Sequence, residues 1–169
     1  MDYTKYIGVT PDFPTKGISF KDISPLLNNP DAFSSAIEDM AKLAEEFHPT
    51  VITGPESRAF LFGAPLAYRM HLGFVMARKA GKLPGNPLSK TYNLEYGTAK
   101  IEIPRDSFKK GDRVLLIDDL MATGGTFKAL KELVIEAGAT PVACLTMINL
   151  KDLHGEKFVE LPCKSLLDL

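Results

Sequence analysis

The chain has no tryptophan, only two cysteines and three histidines, almost no net charge and no long apolar run. Each shortage removes a class of protein. Cys144 lies inside the apolar run from Val142 to Ile148 and Cys163 near the carboxyl end, a pair too few and too unlike in setting for a disulfide framework or a zinc site. A reducing, cytoplasmic location is therefore expected. His48, His71 and His154 show neither metal-ligand spacing nor a nucleophile partner and read as structural or exposed. A formal net charge of −1 gives no overall attraction for nucleic acid, so any anion site has to come from local clustering. No apolar stretch approaches the roughly 18 residues of a membrane span, and the start MDYTKYIGVT lacks the basic-then-apolar order of a leader. Neither nucleic acid nor membrane is an expected partner.

What remains is globular. At 169 residues, with 45% hydrophobic and 24% charged side chains, the chain suits one domain spanning 1–169. It carries no internal repeat or linker, and strand-like runs alternate with helical ones. Asn29-Pro30 opens a helix carrying Phe33, Ile37, Met40, Ala41, Ala44 and Phe47. Thr50 to Thr53 reads as a strand, Ala59 to Met70 as a helix, Gly73 to Ala77 and Val114 to Ile117 as strands, and Pro141 to Ile148 as a further buried strand. A shorter apolar piece runs from Ser165 to Leu167. This alternation predicts an α/β fold with a mostly parallel central sheet flanked by helices. Residues 1–28, with Pro11, Pro14 and Pro25, do not fit it and are expected to lie over the sheet as a separate flap.

The densest chemistry lies between Val114 and Ala139. The run Val114 to Ile117 predicts a strand buried on both faces, with Asp118 and Asp119 at its carboxyl end, where ligands of open sheets bind. Ala122-Thr123-Gly124-Gly125-Thr126 then opens a helix whose apolar positions Phe127, Leu130, Leu133, Val134 and Ala137 recur at helical spacing. Unpaired N–H groups at such a helix start favour a phosphate. Two adjacent carboxylates need a different partner, a cation or a ribose diol. A ribose 5-phosphate satisfies both halves. No Gly-Lys-Ser/Thr follows the glycines and no Gly-x-Gly-x-x-Gly spacing occurs, so neither a Walker loop nor a dinucleotide fingerprint is present.

This stretch closely resembles the phosphoribosyl pyrophosphate (PRPP) signature of the type I phosphoribosyltransferases. The resemblance implies that Asp118, Asp119, Ala122, Thr123, Gly124, Gly125 and Thr126 bind the ribose and 5-phosphate of PRPP. Four further segments, FPTKGISFKDISPLL (13 to 27), GPESRAFLFGAPLA (54 to 67), RKAGKLPG (78 to 85) and YNLEYGTAKIEI (92 to 103), resemble the adenine branch of that family, so that the likeness covers nearly the whole chain. It implies the type I phosphoribosyltransferase fold, with residues 1–28 as a purine-covering hood and a β-hairpin as a mobile lid.

Local charge agrees with a polyanion site. Arg78, Lys79, Lys82 and Lys90 stand together without an acidic residue among them. The resemblance assigns Glu56, Ser57 and Arg58 to the pyrophosphate loop, with Lys79 and Lys82 at the same end of PRPP, and implies a Glu56-Ser57 bond that is cis or otherwise strained. Ser57 is not a nucleophile elbow, because Ala59 occupies the final glycine position. Tyr92, Leu94 and Tyr96 alternate with Asn93 and Glu95, the chain turns near Gly97-Thr98, and Ile101 and Ile103 alternate with Glu102. By pattern Glu95 and Glu102 are ordinary polar-face residues. The resemblance makes Glu95 the acid/base group of the lid, beside Tyr96, and leaves Glu102 without a role. It also implies adenine recognition through backbone around Ser19, Phe20 and Lys21. Lys16, Lys21, Pro55 and Ala59 depart from the common family pattern.

The implied reaction is transfer of the phosphoribosyl group of PRPP to adenine, giving AMP and pyrophosphate, with Mg²⁺ bound mainly through PRPP and no protein metal-ligand set. A homodimer is implied as well. Two alternatives share the PRPP loop: a transferase for another purine such as hypoxanthine or xanthine, and a non-catalytic PRPP-sensing regulator. The regulator would need a nucleic-acid-contacting element, and the sequence offers no basic face for one.

Overall fold

The computed structural model describes residues 1–93 and 98–169. A 3₁₀ turn at Tyr3–Tyr6 leads into strands β1 (Gly8–Thr10) and β2 (Phe20–Asp22), helices α1 (Ser24–Asn28) and α2 (Pro30–Glu45), strand β3 (Val51–Pro55), helix α3 (Arg58–Met70) and strand β4 (Gly73–Lys79). Strands β5 (Leu88–Asn93), β6 (Thr98–Ile103) and β7 (Arg113–Met121) follow, then α4 (Gly125–Glu136), β8 (Thr140–Asn149), α5 (Gly155–Val159) and β9 (Cys163–Asp168).

Seven strands form one sheet in the order β5-β6-β4-β3-β7-β8-β9, parallel from β4 to β9, with the β5-β6 hairpin added antiparallel at one edge. This is the mostly parallel α/β sheet that the alternation of strand and helix predicts. From β3 the chain crosses through α3 to β4, and from its neighbour β7 it crosses through α4 to β8 on the other side. The crossovers leave in opposite directions, so a topological switch point falls between β3 and β7. A crevice opens outside the carboxyl ends of the strands at such a point.

Strand β7 is buried on both faces. Leu115 and Ile117 pack with Met40, Phe62 and Leu66 of α2 and α3, while Val114 and Leu116 pack with Leu130, Leu133 and Val134 of α4. Each such side chain contributes about 1.5–3 kcal/mol through burial. The strand runs four residues beyond the Ile117 expected as its end. Parallel pairing with β8 continues through Asp118 opposite Thr146 to Met121 opposite Asn149, so the two aspartates lie within the strand rather than after it. Pleating then sends their side chains to opposite faces.

Helix α2 starts where the Asn29 side chain accepts the Ala32 N–H at 2.9 Å, with Pro30 in the first turn. It ends at Glu45, two residues before Phe47, which packs from the turn beyond. The amino-terminal flap is pinned to this helix by the Tyr3 hydroxyl, which donates to Asp39 at 2.6 Å. Its antiparallel pair β1-β2 brings Phe13 edge-on to Phe20, with ring centroids 5.3 Å apart. All three histidines occupy left-handed turn positions at φ between 45 and 57°, two of them closing helical segments. Cys144 and Cys163 are both free thiols and are register partners on β8 and β9.

Candidate active site

Two helices begin at the switch-point crevice, and neither has a side-chain cap. Ser57 precedes α3 without a capping hydrogen bond from its side chain, and Gly124, which has no side chain to cap with, precedes α4, in contrast to Asn29 at α2. Their first N–H groups therefore face the crevice without a side-chain acceptor, and the helix dipoles add partial positive charge at both points. Such helix starts bind anions.

Asp118 and Asp119 lie between them. Asp119 is 3% exposed, and Arg58 Nε, from the first residue of α3, approaches its Oδ2 at 3.1 Å. The approach is that of an ion pair without a hydrogen bond, and this buried oxygen has no hydrogen-bond partner. Asp118 turns the other way and accepts the Asp119 N–H at 2.8 Å. Burial raises the Asp118 carboxyl well above its ordinary range, repulsion from Asp119 adds to this, and Arg58 opposes it.

A cavity of about 770 Å³ opens over this point. Asp118 and the whole loop Ala122 to Thr126 form its floor, Ser19, Phe20 and Lys21 of the flap form its roof, and Arg58 stands between the two. The Arg58 guanidinium lies 5.6 Å from the Phe20 ring centroid, a cation–π contact that closes the roof onto the floor. The volume suits a nucleotide-sized ligand. Loop Ala122 to Thr126 is braced from behind by the start of α5: a Cβ on Gly155 would lie 2.1 Å from the Ala122 carbonyl oxygen, and one on Gly124 would lie 2.4 Å from the Gly155 carbonyl oxygen. Backbone lies directly on backbone, an approach that only glycine permits.

A second cavity, about 360 Å³, adjoins the Glu56 end of the crevice and is lined by Glu56, Arg78, Lys79, Tyr92 and Lys100. The Glu56-Ser57 peptide bond is cis, as the resemblance implied. Glu56 accepts the Lys79 N–H at 2.7 Å and pairs with Arg78 at 3.3 Å; the first of these holds its carboxyl below the usual carboxylate range. The four clustered cations thus divide. Arg78 is spent on Glu56, and Lys90 lies in β5, where it pairs with Glu132 of α4 at 2.6 Å. Among the described residues Lys79 and Lys82 have no ion-pair partner.

Glu95 and Tyr96 lie outside the described residues. Glu102 is not the outward polar residue that its pattern suggests: it is 7% exposed and accepts the Gly81 N–H at 3.0 Å. Sequence reasoning also missed Gly155, Ile18, Leu120, Leu150, Asp152 and Leu153 around the large cavity and Lys100 in the small one. Ile18, Leu120 and Lys100 lie inside the quoted segments without standing out there, and Leu150, Asp152, Leu153 and Gly155 lie outside all of them. No group of three or more His, Cys, Asp or Glu side chains able to hold a metal ion occurs among the described residues, and no helix among them is long and apolar enough to cross a membrane.

Two open helix starts flank a carboxylate pair, an arrangement that can take an anion at each start and a diol or cation between them. The sequence model of the phosphoribosyl transferase domain matches residues 22–168, and the chain belongs to that family. Its relatives narrow the class. The adenine phosphoribosyltransferase of Carboxydothermus hydrogenoformans is 50% identical over 157 residues, covering 93% of this chain and 92% of that protein. The crystal structure of adenine phosphoribosyltransferase from Thermoanaerobacter pseudethanolicus superposes with a TM-score of 0.96 at 45% identity, covering 99% of this chain and 98% of that one. The Saccharomyces cerevisiae enzyme, complexed with an imino-altritol bisphosphate and adenine, gives a TM-score of 0.93 at 38% identity, covering 98% and 97%.

Proposed function

We propose that the chain transfers the phosphoribosyl group of PRPP to adenine: adenine N9 attacks C1 with inversion, the bond from C1 to the pyrophosphate oxygen breaks, and AMP and pyrophosphate are released. The observation that carries this reading is the pair of uncapped helix starts on either side of Asp118 and Asp119, in a chain matched over nearly its full length by adenine phosphoribosyltransferases. The α4 start and Ala122 to Thr126 hold the 5-phosphate, with the Thr123 and Thr126 hydroxyls as added donors. Asp118 and Asp119 organise the diol. The α3 start, Glu56, Ser57 and Arg58, with Lys79 and Lys82, take the pyrophosphate and neutralise the charge that develops as it leaves. No covalent intermediate is required.

Adenine lies under Ser19, Phe20 and Lys21, with the Phe20 ring as its apolar wall. Glu95 manages the purine ring proton once the hairpin closes and excludes water. Mg²⁺ fits the donor set, since Asp118 offers a carboxylate to the cavity and Asp119 has a buried oxygen without a hydrogen-bond partner, both hard oxygens. The ion would be held mainly by PRPP, with these carboxylates beside it, and would supply charge neutralisation on the diphosphate. A homodimer is supported by an apolar stripe on α3, where Leu61, Pro65 and the 91% exposed Tyr68 share one face at helical spacing, next to exposed Met76 of β4. The two free thiols support the reducing cytoplasm as its location. AMP formation from adenine, PRPP and Mg²⁺, with hypoxanthine and guanine in parallel, tests the reading. Strong preference for adenine is expected, and equal turnover of a 6-oxopurine would reassign the base, because a mismatched donor and acceptor discriminate strongly.

A further inference from the structure

Glu102 is a buried carboxylate that the proposed chemistry does not use. On β6 it stands between Ile101 and Ile103, which enter the core, and is in register with Arg78 of β4 on one side and Ser89 of β5 on the other. Its own face of the sheet would be open to water, yet it is 7% exposed, and its Oε2 accepts the N–H of Gly81 in the turn that follows β4. The same turn is held at three more points. Ala80 N–H donates to the Lys100 carbonyl at 3.1 Å, Lys82 N–H donates to the Lys79 carbonyl at 3.2 Å, and the Arg78 guanidinium reaches the Lys82 carbonyl at 3.4 Å. Arg78 also pairs with Glu56. Glu102 is therefore the side chain through which the hairpin strand grips the turn bearing Lys79 and Lys82, and Arg78 extends that grip to Glu56.

We infer that Glu102 is a positioning residue for PRPP: by accepting the Gly81 N–H it fixes the turn so that Lys79 and Lys82 meet the pyrophosphate end of the substrate. This rests on the proposed role of those two lysines. An acceptor on a flexible turn would otherwise be water, and burying a carboxylate is unfavourable unless its partner is fixed. A hydrogen bond to a charged acceptor is strong enough for its loss to change affinity about 10-fold or more.

Steady-state kinetics of the full chain test this with E102A, E102Q, E102D, the pair K79A/K82A and the triple variant. E102A should raise the KM for PRPP and the inhibition constant of pyrophosphate about 10-fold while leaving the KM for adenine and kcat near those of the parent. E102Q, whose amide oxygen still accepts, should recover most of that loss. E102D keeps the charge but falls one methylene short, so it should resemble E102A and serves if E102A does not fold. Because Glu102 acts through the lysines, adding E102A to K79A/K82A should cost nothing further. The inference is overturned if E102A and E102D leave PRPP kinetics within twofold of the parent, if adenine and PRPP affinities fall together, if E102Q fares no better than E102A, or if the triple variant multiplies the losses. Should K79A/K82A leave the KM for PRPP unchanged, the role of the lysines falls and the inference with it. A large effect of the lysines with none from Glu102 removes the inference alone.

Discussion

Replacing Gly155 with alanine adds one methyl group outside every contiguous motif, and the structure sets the cost. The new Cβ would meet the Ala122 carbonyl oxygen at 2.1 Å, the Gly124 nitrogen at 2.8 Å and the Thr123 carbonyl carbon at 2.9 Å. Contacts of this kind relax only near 3.2 Å or beyond, so the phosphate loop has to give by roughly 1 Å, and a misplacement of that size costs about 100-fold in rate. Gly155 is not among the positive-φ glycines, so α5 itself accepts alanine and the collision falls on the loop. kcat/KM for PRPP should drop about 100-fold while the KM for adenine changes little. Gly138→Ala is the control: at φ +84° with nothing within 4 Å of its Cβ, it should cost about 1–2 kcal/mol of stability and spare the kinetics. At about 2–4 °C per kcal/mol for a chain of this size, that loss is visible in a thermal melt. Parent-like PRPP kinetics in Gly155→Ala would refute the brace.

Asp118→Asn should stabilise the ligand-free protein while lowering kcat/KM. The raised carboxyl of Asp118 favours the protonated group on folding, so its contribution is full below the ordinary value of 3.8 and is lost as pH rises through the folded-state value; a gain of about 1 kcal/mol at neutral pH is expected by calorimetry, and an unchanged or lower melting temperature would contradict it. For the same reason PRPP affinity of the parent should strengthen as pH rises through the raised value and Asp118 ionises, a trend measurable by titration calorimetry and weaker in Asp118→Asn, where only the phosphate groups of the ligand still titrate. Glu95→Gln should lower turnover about 100-fold with PRPP binding nearly intact, since the amide keeps its reach but cannot exchange a proton; near-parent turnover where chemistry limits the rate would make Glu95 a positioning residue. Tyr68→Glu should shift the protein toward monomer in sedimentation, and an unchanged mass would place any dimer contact elsewhere.

The floor of the large cavity was legible in the sequence because its parts are contiguous: strand, carboxylates, loop and helix start follow one another from Val114 to Thr126. Periodicity placed the strands and helices well, but could not show that β8 pairing would carry β7 on to Met121 and turn the aspartates to opposite faces. The flap side of the large cavity was legible only through resemblance, since Ser19, Phe20 and Lys21 carry no pattern of their own and Leu120, Leu150 and Leu153 come from separate parts of the chain. Lys90 and Glu102 were misread for one reason. Lys90 was grouped with a polyanion cluster and Glu102 with the solvent-facing residues, and only the packing of α4 and of the turn after β4 supplies the partner of each.

The contact of Arg58 with Phe20 above and Asp119 below has a consequence for how the two substrates sense each other. Arg58 joins Phe20, proposed as the wall for the base, to the strand that carries the two aspartates, so a ligand that changes either contact changes what the other ligand meets. Thermodynamic linkage makes that effect reciprocal: the factor by which PRPP changes adenine binding equals the factor by which adenine changes PRPP binding. Any preferred order of addition is then set by the rates along each route, and the equilibrium coupling stays the same along either.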